Sequence, residues 1–100
     1  MAIIKDPENN ETSVLRAMVN FKDLSVLEIG CGEGRLTWRY AESAAQVTAI
    51  DPDGDAVEKA HQNMPEKFIG RVQFLNSTIE DFAKSYNGRK FDVAIFSWSL

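Results

Sequence analysis

The chain is poor in the side chains that staple small folds together. It has one cysteine, Cys31, and one histidine, His61. A single thiol excludes an internal disulfide framework, and together with one imidazole it cannot complete a Cys/His zinc set. No stretch approaches the roughly 18 apolar residues that span a bilayer. The opening MAIIKDPENN has no apolar core of the secretion-signal kind. Positive charge is also scarce: 11 Lys and Arg stand against 15 Asp and Glu, a formal net charge of −4. That balance speaks against the Lys- and Arg-rich face of a nucleic-acid binder. These absences together predict a reducing, cytoplasmic compartment, with neither membrane nor nucleic acid as a partner.

What the chain does have is an ordinary globular composition. Its 100 residues, 44% apolar and 26% charged, suit one small domain and are too apolar for disorder. Residues 1–24 read as a polar lead-in followed by an amphipathic helix over 11–21, on Val14, Leu15, Met18 and Val19. Residues 25–100 then alternate. Strands are expected at 25–30, 47–51, 71–75 and 91–98, with helices over about 35–45, from the N-cap Asp53 to about Met64, and over 79–85. Such alternation implies right-handed crossovers, so the expected fold is α/β with a doubly wound parallel sheet. The nearly all-apolar segments 26–29 and 93–96 fit strands covered by helices on both sides.

Most of the functional information sits in VLEIGCGEG, residues 26–34. A strand running into Gly30, Gly32 and Gly34 makes a tight turn that a ligand can approach at the backbone, because no Cβ intervenes. The turn opens towards a helix start, where free N–H groups favour carboxylate or phosphate. In open α/β sheets, ligands gather beyond the carboxyl ends of the strands. The dinucleotide fingerprint Gly-x-Gly-x-x-Gly needs its third glycine where this chain has Arg35; here that glycine falls one residue early, at Gly34.

The pattern resembles class I S-adenosylmethionine (SAM) dependent methyltransferases. Their first motif, an acid, one residue, then Gly-x-Gly-x-Gly, matches Glu28-Ile29-Gly30-Cys31-Gly32-Glu33-Gly34. The resemblance implies a Rossmann-like sheet, of strand order 3-2-1-4 for the part present, and SAM as cofactor. It implies that Asp51, closing the second strand of the motif, takes the ribose hydroxyls, with Pro52 against the adenine face. A carboxylate buried without a partner is costly, so Glu28, near the end of an apolar strand and beside the glycines, is expected to meet a cation such as the cofactor's ammonium, and Cys31 is expected to serve as a small residue whose backbone N–H matters. The adenine-edge stretch corresponds to Ser77-Thr78-Ile79-Glu80-Asp81-Phe82, with Thr78 in place of the family's usual aspartate. FDVAIFSWSL (91–100) is similar to the strand and turn that face the transferred methyl group. It lacks the Asp/Asn-Pro-Pro-aromatic signature of enzymes acting on bases. Ser97 would touch the cofactor there and Trp98 would lie towards the active site, as in methyltransferases with small-molecule acceptors.

Three functions stay open at this point: a small-molecule methyltransferase or its SAM-binding half, an NAD(P)-dependent oxidoreductase fragment, and a non-catalytic interaction module. Residues 1–100 are expected to be a single cofactor-binding domain cut after its fourth strand. Strand 92–96 would then have nothing on its outer side, and self-association through that edge is the expected consequence. Trp38 and Tyr40 read as packing groups.

Overall fold

The segments that start at Ser25, Gln46, Val72 and Val93 do become strands; those at Ser25 and Val93 are buried almost throughout, whereas the one at Val72 exposes Gln73 and Asn76. In the computed structural model, which describes residues 2–6 and 22–97, they form one parallel sheet with a further strand at the N-terminal end. In chain order the elements are β1 (Ala2–Asp6), β2 (Ser25–Ile29), α1 (Thr37–Tyr40), β3 (Gln46–Asp51) and α2 (Gly54–Gln62). There follow a 3-10 turn (Glu66–Phe68), β4 (Val72–Asn76), α3 (Ile79–Ser85) and β5 (Val93–Ser97). The sheet order is β1-β5-β2-β3-β4. Its β4-β3-β2-β5 part is the 3-2-1-4 order expected from the sequence. The expected helix over 11–21 and Trp98 both lie outside the described residues.

β1 overturns two expectations. The opening residues are not merely a lead-in: Ala2–Asp6 runs parallel to β5, in register from Ala2 opposite Val93 to Asp6 opposite Ser97. The outer side of strand 92–96 is therefore paired. Self-association through that edge loses its basis, because β1 takes the backbone groups that would have recruited a second chain.

The two faces of the sheet bury different sets. On one, Val26, Val47, Ala49, Phe74, Val93 and Ile95 meet Leu36, Tyr40, Ala44, Val57, Ala60 and Phe68, beneath α1 and α2. On the other, Leu27, Ile29, Ile50 and Ala94 meet Phe82 of α3 and Phe91. Trp38 is a packing group, as expected, stacked on Phe68 at 5.8 Å and edge-on to Phe74 at 5.2 Å between ring centres.

The helices follow their caps. Asp53 has an extended backbone, and its carboxylate accepts from the N–H groups of Asp55 and Ala56 at 3.1 and 3.3 Å, starting α2 where predicted. α1 is far shorter than the expected 35–45. Just beyond it the Ala41 and Ala44 carbonyls accept from the Arg71 guanidinium at 2.8 and 2.6 Å, so the chain leaves the helix there with these groups satisfied. The Ala45 N–H then donates to the Leu24 carbonyl at 2.9 Å and β3 begins.

Candidate functional site

Strand periodicity aligns the polar residues before any ligand is considered. Side chains alternate between faces, so Glu28 shares a face with Val26, Asp51 with Ala49, and Ser97 with Ile95. All three lie at the carboxyl ends of neighbouring strands in the order β5, β2, β3.

The glycine turn is tied to β3 by three backbone donors, which reach the Ile50 carbonyl and the Asp51 carboxylate. Gly30 and Cys31 both donate their N–H to the Ile50 carbonyl, at 2.8 and 3.1 Å. Gly32 donates to Oδ2 of Asp51 at 2.9 Å, and Asp53 to Oδ1 of the same carboxylate at 2.8 Å. Gly32 sits at φ +57° and Gly34 at φ +90°, left-handed backbone that other residues reach only with strain. At Gly34 a Cβ would also stand 2.9 Å from Cζ2 of Trp38 and 3.1 Å from Cζ of Phe74. The third glycine is needed for packing as well as for the bend.

Asp51 is therefore held against the glycine turn, between Gly32 and Asp53. It is buried, and each of its oxygens has accepted one N–H and keeps acceptor capacity for a further donor. Beside it lies a cleft of about 340 Å³ lined by Cys31, Gly32, Glu33, Arg35, Asp53 and Ala56.

Glu28 differs from expectation. It is wholly buried, and its partners are hydroxyls rather than a cation. Thr37 and Tyr40 each donate to Oε1 at 2.6 Å, and Ser97 donates to Oε2 at 2.5 Å. Burial holds this carboxyl above the usual carboxylate range, against the pull of the three hydroxyls, and the nearby Asp51 adds to the rise. The argument that an unpartnered Glu28 demands a cation fails, since these donors already satisfy it.

The remaining expected site residues are distributed as follows. The Cys31 N–H is spent on Ile50 rather than offered to a ligand, and burial pushes its thiol far up, leaving it neutral. Pro52 is exposed and is not among the residues that line the cleft. The next strand end is drawn in by Ser77, whose N–H donates to the Asp51 carbonyl at 3.0 Å. The Thr78 hydroxyl caps α3 by accepting from the Asp81 N–H at 3.1 Å, and Ile79 packs half-buried against the second core cluster. Sequence reasoning missed Thr37 and the polar role of Tyr40. The signal was present: a fully buried phenol needs a partner, and two hydroxyl residues three apart share one helix face.

Comparison with known proteins adds to this geometry. Residues 20–100 match a family described as "Methyltransferase domain". The chain belongs to this methyltransferase family. A relative from Methanobrevibacter smithii, "Probable cobalt-precorrin-6B C(15)-methyltransferase (decarboxylating)", is 29% identical over 85% of the chain and 48% of its own length. The mitochondrial "Ubiquinone biosynthesis O-methyltransferase" of Schizosaccharomyces pombe is 34% identical over 69% of the chain and 26% of its own length. The crystal structure of magnesium protoporphyrin IX methyltransferase from Synechocystis PCC 6803 with bound SAM superposes with a TM-score of 0.67. It is 24% identical, and the match covers 88% of this chain and 42% of that one. The methyltransferase domain thus spans about half the length, or less, of the relatives it matches. SAM is the cofactor of this family. Among the described residues, no helix is long and apolar enough to cross a membrane.

Proposed function

We propose that this domain is the SAM-binding part of a methyltransferase acting on a small-molecule acceptor. The observation that carries the reading is Asp51. Its carboxylate is buried at the carboxyl end of β3, bonded to Gly32 across the crevice, and retains acceptor capacity on both oxygens. That is what a ribose cis-diol requires, since each hydroxyl donates once.

The charge around the crevice separates SAM from a dinucleotide. Glu33, Asp51 and Asp53 stand there against Arg35, with Glu28 buried behind. A cationic sulfonium compound suits that field, whereas a pyrophosphate meets repulsion. The helix that follows the turn, Thr37–Tyr40, is only four residues long and contributes little dipole for an anion. Both features argue against the NAD(P) alternative.

When bound, SAM supplies an electrophilic methyl group on sulfur for attack by an acceptor. The chain's own residues bind and orient. Gly30, Gly32 and Gly34 keep the turn close to the ligand's amino-acid end, and Asp51 holds the sugar. Pro52 and Ile79 offer apolar contact to the base, with Thr78 at its edge. Ser97 closes the side towards β5, where its hydroxyl also lies 3.3 Å from the Gly30 carbonyl. Positioning of this kind is worth up to about 7–11 kcal/mol in well-oriented reactions, so no acid–base pair is required for activity. The names of the precorrin and ubiquinone-pathway relatives support a small-molecule acceptor. A cytoplasmic location and no nucleic-acid partner belong to the same reading, on the acidic balance and the lone buried thiol.

Calorimetric titration of the full chain with SAM, S-adenosylhomocysteine and NAD⁺ tests this reading. One SAM or S-adenosylhomocysteine per chain and no NAD⁺ is the expected result. Binding of NAD⁺ alone would establish the oxidoreductase reading, and binding of none would leave the interaction module.

A further inference from the structure

Glu28 presents a physical problem that the SAM reading does not by itself solve. A wholly buried carboxylate is costly unless paired with a cation, yet its partners are three neutral hydroxyls. A glutamine would accept and donate at the same place without that cost. Keeping a titratable carboxyl in such a place is a mark of function.

We propose that Thr37, Tyr40 and Ser97 are positioning residues whose hydroxyls draw the buried Glu28 carboxyl towards its anionic form behind the glycine turn, so that the crevice favours a cationic ligand. The inference rests on the SAM reading and deepens it. The geometry is two-sided. Thr37 and Tyr40 come from α1 and share Oε1, while Ser97 comes from the end of β5 and takes Oε2. Hydroxyl donors stabilise the charged form without cancelling it, which an Arg or Lys in their place would do. The other titratable groups acting on Glu28 add no positive charge. Asp51, on β3, repels it, and the Cys31 thiol in the turn is kept neutral by burial.

All three hydroxyls draw Glu28 towards its charged form, Ser97 most, then Thr37 and Tyr40. Burial and the charge of Glu28 raise Tyr40 well above its ordinary value of 10, so it stays protonated and donating. Ser97 adds a connection: the strand end that faces the acceptor side is tied to the same carboxylate that lies behind the cofactor turn.

The test compares the full wild-type chain with Tyr40→Phe, Thr37→Val, Ser97→Ala and Glu28→Gln. SAM affinity is measured across the pH range in which the chain stays folded. With one donor fewer, Glu28 holds its proton to higher pH. Tyr40→Phe should then bind SAM about tenfold more weakly than wild type at the acid end of that range and converge on it as the pH rises. Glu28→Gln should be weak with no such recovery. A loss that is the same at every pH, or no loss, would reduce Tyr40 to a packing residue and overturn the inference.

A second readout does not depend on any ligand. The carbon-13 shift of the Glu28 carboxyl, followed against pH in the free chain, should show a higher midpoint in Tyr40→Phe than in wild type. Unchanged midpoints would overturn the inference. A moved midpoint in a chain that fails to bind SAM would uphold the hydroxyl cage and remove the cofactor reading. Should Tyr40→Phe fail to fold, Thr37→Val and Ser97→Ala carry the same expectation.

Discussion

Asp51→Ala should weaken SAM binding by about a hundredfold, the loss of about 3 kcal/mol expected when two hydrogen bonds to a buried charged acceptor disappear. The effect has two sources. The ribose loses its acceptor, and the glycine turn loses the anchor that Gly32 makes at 2.9 Å. Asp51→Asn separates them. An amide keeps one oxygen but turns an NH₂ towards either the Gly32 or the Asp53 N–H, both of which already point at this side chain. Like donors then face each other, so the asparagine variant should recover only part of the lost affinity. Calorimetric titration of both variants, with thermal unfolding alongside, distinguishes a lost ligand contact from a loosened turn. Affinity within about threefold of wild type in Asp51→Ala would remove the aspartate from the site.

The second large effect concerns stability. Gly34→Ala should destabilise the fold by about 3 kcal/mol or more, adding backbone strain to overpacking. At φ +90° an alanine is conformationally strained, and its Cβ would lie 2.9 Å from the Trp38 ring and 3.1 Å from Phe74. Neither ring can withdraw freely, because Trp38 is stacked on Phe68 and set edge-on against Phe74. For a domain of this size the loss corresponds to a fall in Tm of about 10–20 °C. Thermal unfolding followed by circular dichroism measures it. An unchanged Tm would mean that the turn is looser than its geometry indicates. By contrast, a Cβ on Gly70 meets nothing within 4 Å although φ is +91°, so Gly70→Ala should show the backbone cost alone.

What could be read from the sequence divides along the range of the interactions. The glycine turn, the N-cap at Asp53 and the bounds of α3 are local, set by φ preferences, capping and short periodicity, and they stand where the residues place them. The direction of Asp51 was also accessible. Once β3 is a strand entering a turn, alternation puts its last carboxylate on the face of Ala49 and beside the glycines. Glu28 failed for a different reason. Its burial was foreseeable, but the hydroxyls that satisfy it arrive from a helix and from a strand near the other end of the chain. β1 failed most completely. A five-residue segment beside Pro7 carries little strand signal of its own, and it is fixed by pairing with β5, the most distant element in the chain. The short α1 has a similar origin: Arg71, thirty residues on from Ala41, collects the carbonyls that would have continued it.

The central claim is that the crevice between the glycine turn and Asp51 receives the methyl donor. Amide NMR spectra of the full chain, recorded as S-adenosylhomocysteine is added, test it most directly. The account predicts the largest shifts at residues 30–34 and 51–54, smaller ones at 77–79, and their disappearance in Asp51→Ala. Shifts concentrated instead at the opposite ends of the strands, in the hollow lined by Gln46, Thr48, Arg71 and Gln73, would contradict it.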